Sequence, residues 1–247
     1  MFMRVLILAA GFGTRLRPLT ETIPKCLVTI GEKPMLKHWL EKIDNCEINP
    51  SEVFVNLHYK KELVENFIKQ QEYKFPIIPI IEEELIGTGG TFFNLIKHQD
   101  NKNLLVIHCD NYYGEDLDKF LKFSLEKINC YNFDMSILAF RTDEPENCGT
   151  MLIKDDGEVL QFEEKVRNPK TNLANGAVYF FSSKYIKSIK KEFAGLNDIA
   201  KDLLENNHGK IAAFETQSYF CDIGTLERLE KTRSHFNEQF QRCEYLS

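Results

Sequence analysis

The stretch that decides the fold is Leu8-Ala9-Ala10-Gly11-Phe12-Gly13-Thr14-Arg15-Leu16, directly after an apolar N-terminal run. Glycine accepts backbone conformations that a side chain hinders, so Gly11 and Gly13 let successive N–H groups turn toward one anion. Arg15 and, farther on, Lys25 can add charge-assisted hydrogen bonds. The segment therefore predicts a cradle for a polyphosphate, and a nucleoside triphosphate is the natural guest.

Other phosphate-binding loops fit this segment less well. A dinucleotide-binding fingerprint needs a third glycine where Leu16 stands and an acidic residue about 20 positions later, and neither is present. The Gly-Lys-Ser/Thr of an ATPase loop is absent from the sequence. A plain glycine turn beside surface cations is the remaining alternative, and the motifs farther along the chain weaken it.

Apolar and helical patterns alternate along the first 140 residues. Strands are predicted at Arg4–Leu8, Glu52–Leu57, Phe75–Ile81, Asn103–His108 and Phe133–Phe140. Helices are predicted between them at Met35–Ile43, Glu62–Gln70, Thr91–His98 and Leu117–Ile128. The alternation predicts a Rossmann-like three-layer α/β sandwich with a mostly parallel central sheet and ligands at the carboxyl ends of its strands.

Shorter strands follow and predict a small antiparallel extension for a second substrate. The predicted elements are strands at Gly149–Ile153, Glu158–Phe162, Ala177–Phe181, Ile211–Phe214 and Tyr219–Asp222, and helices at Ser183–Phe193, Leu196–Asn206 and from Thr225 onward. We expect one catalytic domain over residues 1–247, with a nucleotide-binding part at about 1–140 and an acceptor-binding part at about 141–247.

Composition narrows the class of protein. The chain has 247 residues and 43% hydrophobic content, enough for a full core, and its net charge of −6 argues against general binding to nucleic acid or anionic membranes. Seven cysteines without a C-x-x-C pair fit reduced thiols in a cytoplasmic protein. The apolar run of residues 5–10 is too short for a signal peptide, and no stretch has the length of a membrane span.

Several motifs together resemble the signature of the sugar-1-phosphate nucleotidyltransferases, the nucleotide-sugar pyrophosphorylases. They follow the family's order over almost the whole chain: Gly11-Phe12-Gly13-Thr14-Arg15-Leu16, Pro18-Leu19-Thr20, Ile23-Pro24-Lys25, Gly87-Thr88-Gly89-Gly90, Asp110, Phe162-Glu163-Glu164-Lys165, Asn175-Gly176 and Asp222-Ile223-Gly224-Thr225. The chain resembles short members that consist of the catalytic domain, similar to mannose or heptose 1-phosphate guanylyltransferases and to N-acetylmuramate 1-phosphate uridylyltransferase.

The resemblance implies Mg²⁺-dependent transfer of a nucleotidyl group from an NTP to a sugar 1-phosphate, with release of pyrophosphate, for glycan, capsule or lipopolysaccharide assembly. By this resemblance, Arg15 holds the departing phosphates, Lys25 reaches the α-phosphate and Lys165 binds the phosphate of the sugar. Asp110 and Asp222 are expected at one edge of the sheet, where paired carboxylates make a hard oxygen site for Mg²⁺.

The expected site residues fall into two further groups. The nucleotide-binding group is Leu8, Ala9, Ala10, Gly11, Gly13, Thr14, Arg15, Lys25, Asn56, Glu82, Gly87 and Thr88. The acceptor-binding group is Gly149, Glu164, Lys165, Asn175 and Gly176. A carboxylate such as Glu82 can accept hydrogen bonds from the N–H groups of guanine, but acidic residues also precede this loop in uridylyltransferases, and the acidic run also suits a solvated loop.

Four residues depart from the family pattern. Relatives usually have Gly at Cys109, an aromatic residue at Cys148, Trp at Phe220 and often a second glycine at Ala177. Guanylyl transfer to a mannose- or heptose-type phosphate is the favoured reaction. Uridylyl, thymidylyl or cytidylyl transfer, including transfer to a phosphorylated acceptor that is not a sugar, stays open, as does a non-catalytic nucleotide-sugar sensor. The oligomeric state is also open, with a homodimer as one option.

Overall fold

The computed structural model of the protein describes residues 3–98, 102–192, 195–206 and 209–244. Its strands are β1 (Met3–Leu8), β2 (Thr29–Ile30), β3 (Lys33–Pro34), β4 (Glu52–Leu57), β5 (Ile77–Ile81), β6 (Asn103–His108), β7 (Asn111–Tyr113), β8 (Met135–Arg141), β9 (Gly149–Ile153), β10 (Val159–Glu164), β11 (Leu173–Phe181), β12 (Ile211–Glu215) and β13 (Phe220–Asp222). Its α-helices are α1 (Met35–Asp44), α2 (Lys61–Lys69), α3 (Gly87–His98), α4 (Asp118–Tyr131), α5 (Ser183–Glu192) and α6 (Leu226–Glu244).

The central sheet begins from β1, whose residues Val5, Leu6 and Ile7 are fully buried. β1 pairs in parallel with β4 on one side and with β6 on the other, and β5 continues the parallel part beyond β4. β11 then runs antiparallel to β6 and also pairs with β8 and β9, while β12 lies parallel to β8 and β10 pairs with β9. The predicted fold is therefore confirmed: a mostly parallel central sheet with an antiparallel extension.

Two apolar layers cover the sheet because successive side chains of a strand point to opposite faces. Val5 and Ile7 of β1 pack in one layer together with Trp39 of α1 and Phe120 of α4. Leu6 lies in the other layer, which contains the buried side chains of α3 and α5. The result is the expected three-layer sandwich, with the strand ends free to carry polar groups.

Some element boundaries differ from the predicted ones. β11 begins at Leu173, four residues before the predicted start, because the chain continues as a strand through an irregularity between Asn175 and Tyr179. Ala177 has a φ of +50° there, and its N–H donates to the side chain of Asn175 at 2.8 Å. The helix predicted at Leu196–Asn206 is only a π-helical turn, Ala200–Glu205. The helix predicted at Ser183–Phe193 is α5, Ser183–Glu192, and Phe193 itself lies outside the described residues.

No α-helix within the described ranges combines the length and apolar character that crossing a bilayer requires.

The glycine segment of residues 87–90 forms the first turn of α3 rather than a loop. Gly87 has a φ of +77°, and a Cβ on it would overlap the carbonyl oxygen of Asn197. The Gly89 N–H donates to that same oxygen at 3.0 Å, and the Ile199 N–H donates to Thr88 Oγ1 at 3.1 Å. The glycines are therefore needed for backbone contact with residues 197–199.

Substituting Gly87 by alanine should destabilise the fold by about 2–4 kcal/mol, since a left-handed conformation and a backbone overlap act together. Gly90→Ala is the matched control on the same helix, because Gly90 has no positive φ and the three nearest neighbours of its Cβ would be side-chain atoms of Ile86, the first at 3.1 Å. Urea unfolding of both variants measures the difference. Equal stability of the two variants would contradict the close packing of Gly87 on Asn197.

Candidate functional site

Two adjoining cavities open at the carboxyl ends of β1, β4 and β6. The inner cavity, of about 260 Å³, is lined by nine of the predicted nucleotide-binding residues, namely Leu8, Ala9, Ala10, Gly11, Lys25, Asn56, Glu82, Gly87 and Thr88. The outer cavity, of about 940 Å³, is lined by four of the predicted acceptor-binding residues, namely Gly149, Glu164, Lys165 and Asn175. His108 and Asp110 line both cavities, so the two spaces meet at the end of β6.

A short antiparallel ladder between β7 and β13 brings Asp110 and Asp222 together. Asp222 is paired in register with Asn111, and the Ile223 N–H donates to the Asp110 carbonyl oxygen at 2.9 Å. Residues far apart in the sequence thus lie side by side, as the motifs predict. The backbone of the ladder, rather than any contact between the two carboxylates, fixes their relative position.

Lys25 lies between these two carboxylates. Its Nζ is 2.5 Å from Asp110 Oδ2 and 3.6 Å from Asp222 Oδ1, and the residue is only 9% exposed. Burial acts to raise the pKa of the Asp110 carboxyl, but the attraction of Lys25 and His108 and the hydrogen bond from Lys25 outweigh it, so this pKa lies below its ordinary value. Asp110 is therefore available as a carboxylate near neutral pH.

The donor set suits one kind of metal ion. Among the described residues no group of three or more His, Cys, Asp or Glu side chains is placed to hold a metal. Asp110 and Asp222 provide two hard oxygen donors, and Asp222 Oδ1 is buried without a hydrogen-bond partner among the described atoms. Mg²⁺ commonly binds one or two protein carboxylates and keeps water and substrate oxygens as its other ligands, so these residues fit it.

A buried polar network forms the wall of the inner cavity. Asn56 Oδ1 accepts a hydrogen bond from the Ala9 N–H at 2.6 Å, which ties β4 to the start of the glycine-rich loop. Asn56 Nδ2 donates to Glu82 Oε1 at 3.0 Å, and Thr91 Oγ1 donates to the same oxygen at 2.5 Å. Glu82 is 7% exposed, whereas Glu84 is exposed. The solvated-loop interpretation therefore suits Glu84 but not Glu82.

The two loop glycines have different roles. Gly13 has a φ of +64°, and a Cβ on it would lie 3.0 Å from Lys25 Cβ, so a side chain there would be strained and crowded. A Cβ on Gly11 would meet no described heavy atom within 4 Å, which leaves its backbone open to the inner cavity. Gly13 allows Lys25 to pack closely against the loop, while Gly11 leaves room for a ligand to approach the loop backbone.

Three predicted nucleotide-binding residues do not line the inner cavity: Gly13, Thr14 and Arg15. Arg15 instead lines the outer cavity, and its Nη2 lies 2.8 Å from the position that a Cβ on Gly224 would take. Gly224 is therefore required for the guanidinium to approach the backbone beside Asp222. This places Arg15 in the outer cavity, beside the segment that carries Asp222.

The predicted acceptor residues lie on β9, β10 and β11, except Lys165, which directly follows β10. Burial raises the pKa of the Glu164 carboxyl, and Lys165, whose Nζ is 3.4 Å away, partly offsets this effect. The Lys165 side chain is 64% exposed and so can extend toward a ligand. Gly176 does not line the cavity; its carbonyl accepts from Asn111 Nδ2 at 3.1 Å, and a Cβ on it would press on Leu138.

Sequence reasoning did not select several residues that line the cavities, among them Cys26, Leu85, His108, Asn111, Tyr179, Asp198 and Arg228. His108 could have been found as the last residue of a strand ending at the site, and Arg228 from its place just after the Asp222 motif. No local sequence pattern marks Asp198 as a site residue, because tertiary packing on residues 87–89 brings it to the cavity.

Burial raises the pKa of the Cys109 thiol well above its ordinary value, so Cys109 lines the inner cavity as a neutral group.

Comparison with known proteins agrees with this geometry. The family model described as nucleotidyl transferase matches residues 4–239. The chain is 31% identical over 229 residues to the bifunctional protein GlmU of Methanocaldococcus jannaschii, a match that covers 90% of this chain and 51% of GlmU. It therefore spans about half the length of that relative.

Two further proteins are similar to this chain over nearly their whole length. The chain is 30% identical over 228 residues to the D-glycero-α-D-manno-heptose 1-phosphate guanylyltransferase of Campylobacter jejuni, covering 91% of this chain and 96% of that protein. The crystal structure of HddC from Yersinia pseudotuberculosis matches with a TM-score of 0.76 at 30% identity, covering 96% of this chain and all of HddC. HddC has also been solved in complex with GMP-PN.

Proposed function

The chain belongs to the nucleotidyl transferase family, and we propose that it transfers a guanylyl group from GTP to a mannose- or heptose-type sugar 1-phosphate. A phosphate oxygen of the sugar 1-phosphate attacks the α-phosphorus of GTP, the bond from that phosphorus to the bridging oxygen of the β-phosphate breaks, and pyrophosphate leaves. The observation that carries the proposal is Lys25, placed between Asp110 and Asp222 where the two cavities meet.

Charge neutralisation is the main task of the protein in such a reaction, because both substrates are anions. Lys25 lines the inner cavity and contacts Asp110, and Arg15 lines the outer cavity beside the segment that carries Asp222. Together they can neutralise the α-phosphate and the departing phosphates. Mg²⁺ held by Asp110 and Asp222 would supply further neutralisation of phosphate charge.

Glu82 supports guanine as the base. Its Oε1 is occupied by Asn56 and Thr91, which fixes the carboxylate at the wall of the inner cavity. With Oε1 occupied, the second carboxylate oxygen of Glu82 is the acceptor left for the base. Guanine can present either of two donors to it, N1–H or the N2 amino group, while uracil and thymine present a single ring N–H. The relatives named as guanylyltransferases and the HddC complex with GMP-PN support the same choice.

The outer cavity supports a polar phosphorylated acceptor. Lys165 suits a phosphate group, and Glu164 and Asn175 suit sugar hydroxyls. A role in capsule or lipopolysaccharide assembly, a cytoplasmic location and a homodimer stay predictions.

The test is pyrophosphate release with Mg²⁺, with GTP, UTP, CTP, dTTP and ATP each assayed against a panel of sugar 1-phosphates. Release with GTP and mannose or heptose 1-phosphate is the expected result. Release with another NTP would overturn the guanylyl assignment and keep the reaction class. Binding of a nucleotide sugar by a folded protein that releases no pyrophosphate with any pair would favour the sensor.

Asp110→Asn and Asp222→Asn should each lower kcat at least about 100-fold, because each removes a charge that acts on the metal and phosphates. Asp155→Asn, in the exposed turn between β9 and β10, is the charge-matched control and should keep wild-type turnover. Steady-state rates across a range of Mg²⁺ concentrations measure the effect. Near-normal turnover of either site variant would contradict the assignment of Asp110 and Asp222 as metal ligands.

Glu82→Gln should raise the KM for GTP about 10-fold, since it replaces a charged hydrogen-bond acceptor by a neutral amide. The amide oxygen can still accept from Asn56 and Thr91, so the wall of the cavity is kept. Glu84→Gln, at an exposed position two residues away, is the control. An unchanged KM for GTP alongside a raised KM for the acceptor would place Glu82 outside the base-binding site.

A further inference from the structure

The outer cavity contains a guanidinium to which the proposed chemistry gives no role. Arg228 lies in the first turn of α6, where its N–H donates to Thr225 Oγ1 at 3.3 Å. Its side chain is 24% exposed and lines the outer cavity. The helix start therefore fixes the base of a long cationic side chain that points to the acceptor side.

The two ends of this guanidinium contact different carboxylates. Nη1 lies 3.4 Å from Asp222 Oδ2, and Nη2 pairs with Glu144 in the loop between β8 and β9. The other oxygen of Asp222, Oδ1, faces Lys25. The Asp222 carboxylate is thus bracketed by Lys25 from the inner cavity and by Arg228 from the outer cavity.

An acceptor phosphate needs more positive charge than Lys165 alone provides. A phosphate monoester carries up to two negative charges near neutral pH, and Lys165 already pairs with Glu164. The outer cavity is also lined by further carboxylates, including Asp143, Glu146 and Asp198. Its cations besides Lys165 and Arg228 are Arg15, Lys231 and Arg141, which pairs with Glu215. A dianion in such a cavity is repelled unless a second cation contacts it, and the fork of an arginine matches two phosphate oxygens at once.

We propose that Arg228 binds the phosphate of the acceptor together with Lys165 and holds it beside Asp222, with Glu144 occupying the guanidinium when no acceptor is bound. This inference rests on the proposed function, because it assigns a residue to the acceptor half of that same site. The phosphate replaces Glu144 as the partner of Nη2, so Glu144 competes with the acceptor.

A purely structural role for the pair predicts different behaviour. The Glu144 side chain is 53% exposed, and ion pairs between exposed side chains contribute little to stability. Loss of such a pair would leave the kinetic constants unchanged or alter those for both substrates alike. If Arg228 binds the phosphate, substitutions change the KM for the acceptor and not the KM for the NTP. Substitutions of Arg228 and of Glu144 then change the acceptor KM in opposite directions.

The test is steady-state kinetics with Mg²⁺, GTP and mannose 1-phosphate, or with the pair that the pyrophosphate-release panel identifies. Arg228→Gln should raise the acceptor KM at least about 10-fold and leave the NTP KM within about twofold, with Arg228→Lys in between. Glu144→Gln should lower the acceptor KM, because the competing carboxylate is gone. Arg233→Gln is the matched control, since Arg233 lies on the same helix, pairs with Glu230 and lines neither cavity.

An acceptor KM that Arg228→Gln leaves unchanged would overturn the inference, as would equal changes for both substrates. If Arg228→Gln does not fold, Arg228→Lys and Glu144→Gln still separate the two roles. If the wild-type protein releases no pyrophosphate with any pair, the proposed function fails by itself. Titration with inorganic phosphate then decides the role of Arg228: weaker binding by Arg228→Gln than by Arg233→Gln supports phosphate binding, and equal binding contradicts it.

Discussion

Two carboxylates beside one another repel, and Lys25 is the cation that makes their proximity tolerable in this protein. Its Nζ contacts Asp110 at 2.5 Å and lies 3.6 Å from Asp222, in a position that is largely shielded from water. Removing the lysine charge would take from Asp110 the ammonium that it pairs with, and would leave Asp222 to its contact with Arg228. The rest of the site depends on this arrangement, because it fixes the positions of the two carboxylates and of the cation that can contact substrate phosphates.

Three separate parts of the fold deliver the three side chains. Lys25 lies on a short helical turn after the glycine-rich loop, and Gly13 packs against it without a side chain of its own. Asp110 lies two residues after the end of β6, a buried parallel strand, and Asp222 ends β13, which pairs with β7. The parallel core therefore fixes one carboxylate and the small ladder fixes the other. The polar side chains of the site are concentrated at strand ends because the strands themselves are enclosed by apolar layers on both faces.

The sequence was informative where a pattern is local. Buried apolar runs predict the parallel strands because a strand covered on both faces must be apolar throughout, and the phosphate loop is visible because glycines and cations occur together. The strand β11 was predicted four residues too short, since Asn175 and Gly176 interrupt its apolar run while the backbone continues past them. In the sequence, Gly87 and Gly89 belong to a motif that predicts a loop beside the nucleotide. In the fold they begin a helix pressed against Asn197, a contact that no local pattern records.

The central claim is that Asp110, Lys25 and Asp222 form one centre for nucleotide phosphates and a divalent cation. A crystal structure with Mg²⁺ and a non-hydrolysable GTP analogue tests it most directly. We expect a metal ion bound by both aspartates, Lys25 in contact with a nucleotide phosphate, and the base edge against Glu82. A nucleotide bound elsewhere, with Lys25 still paired to the two aspartates and no metal beside them, would contradict the account.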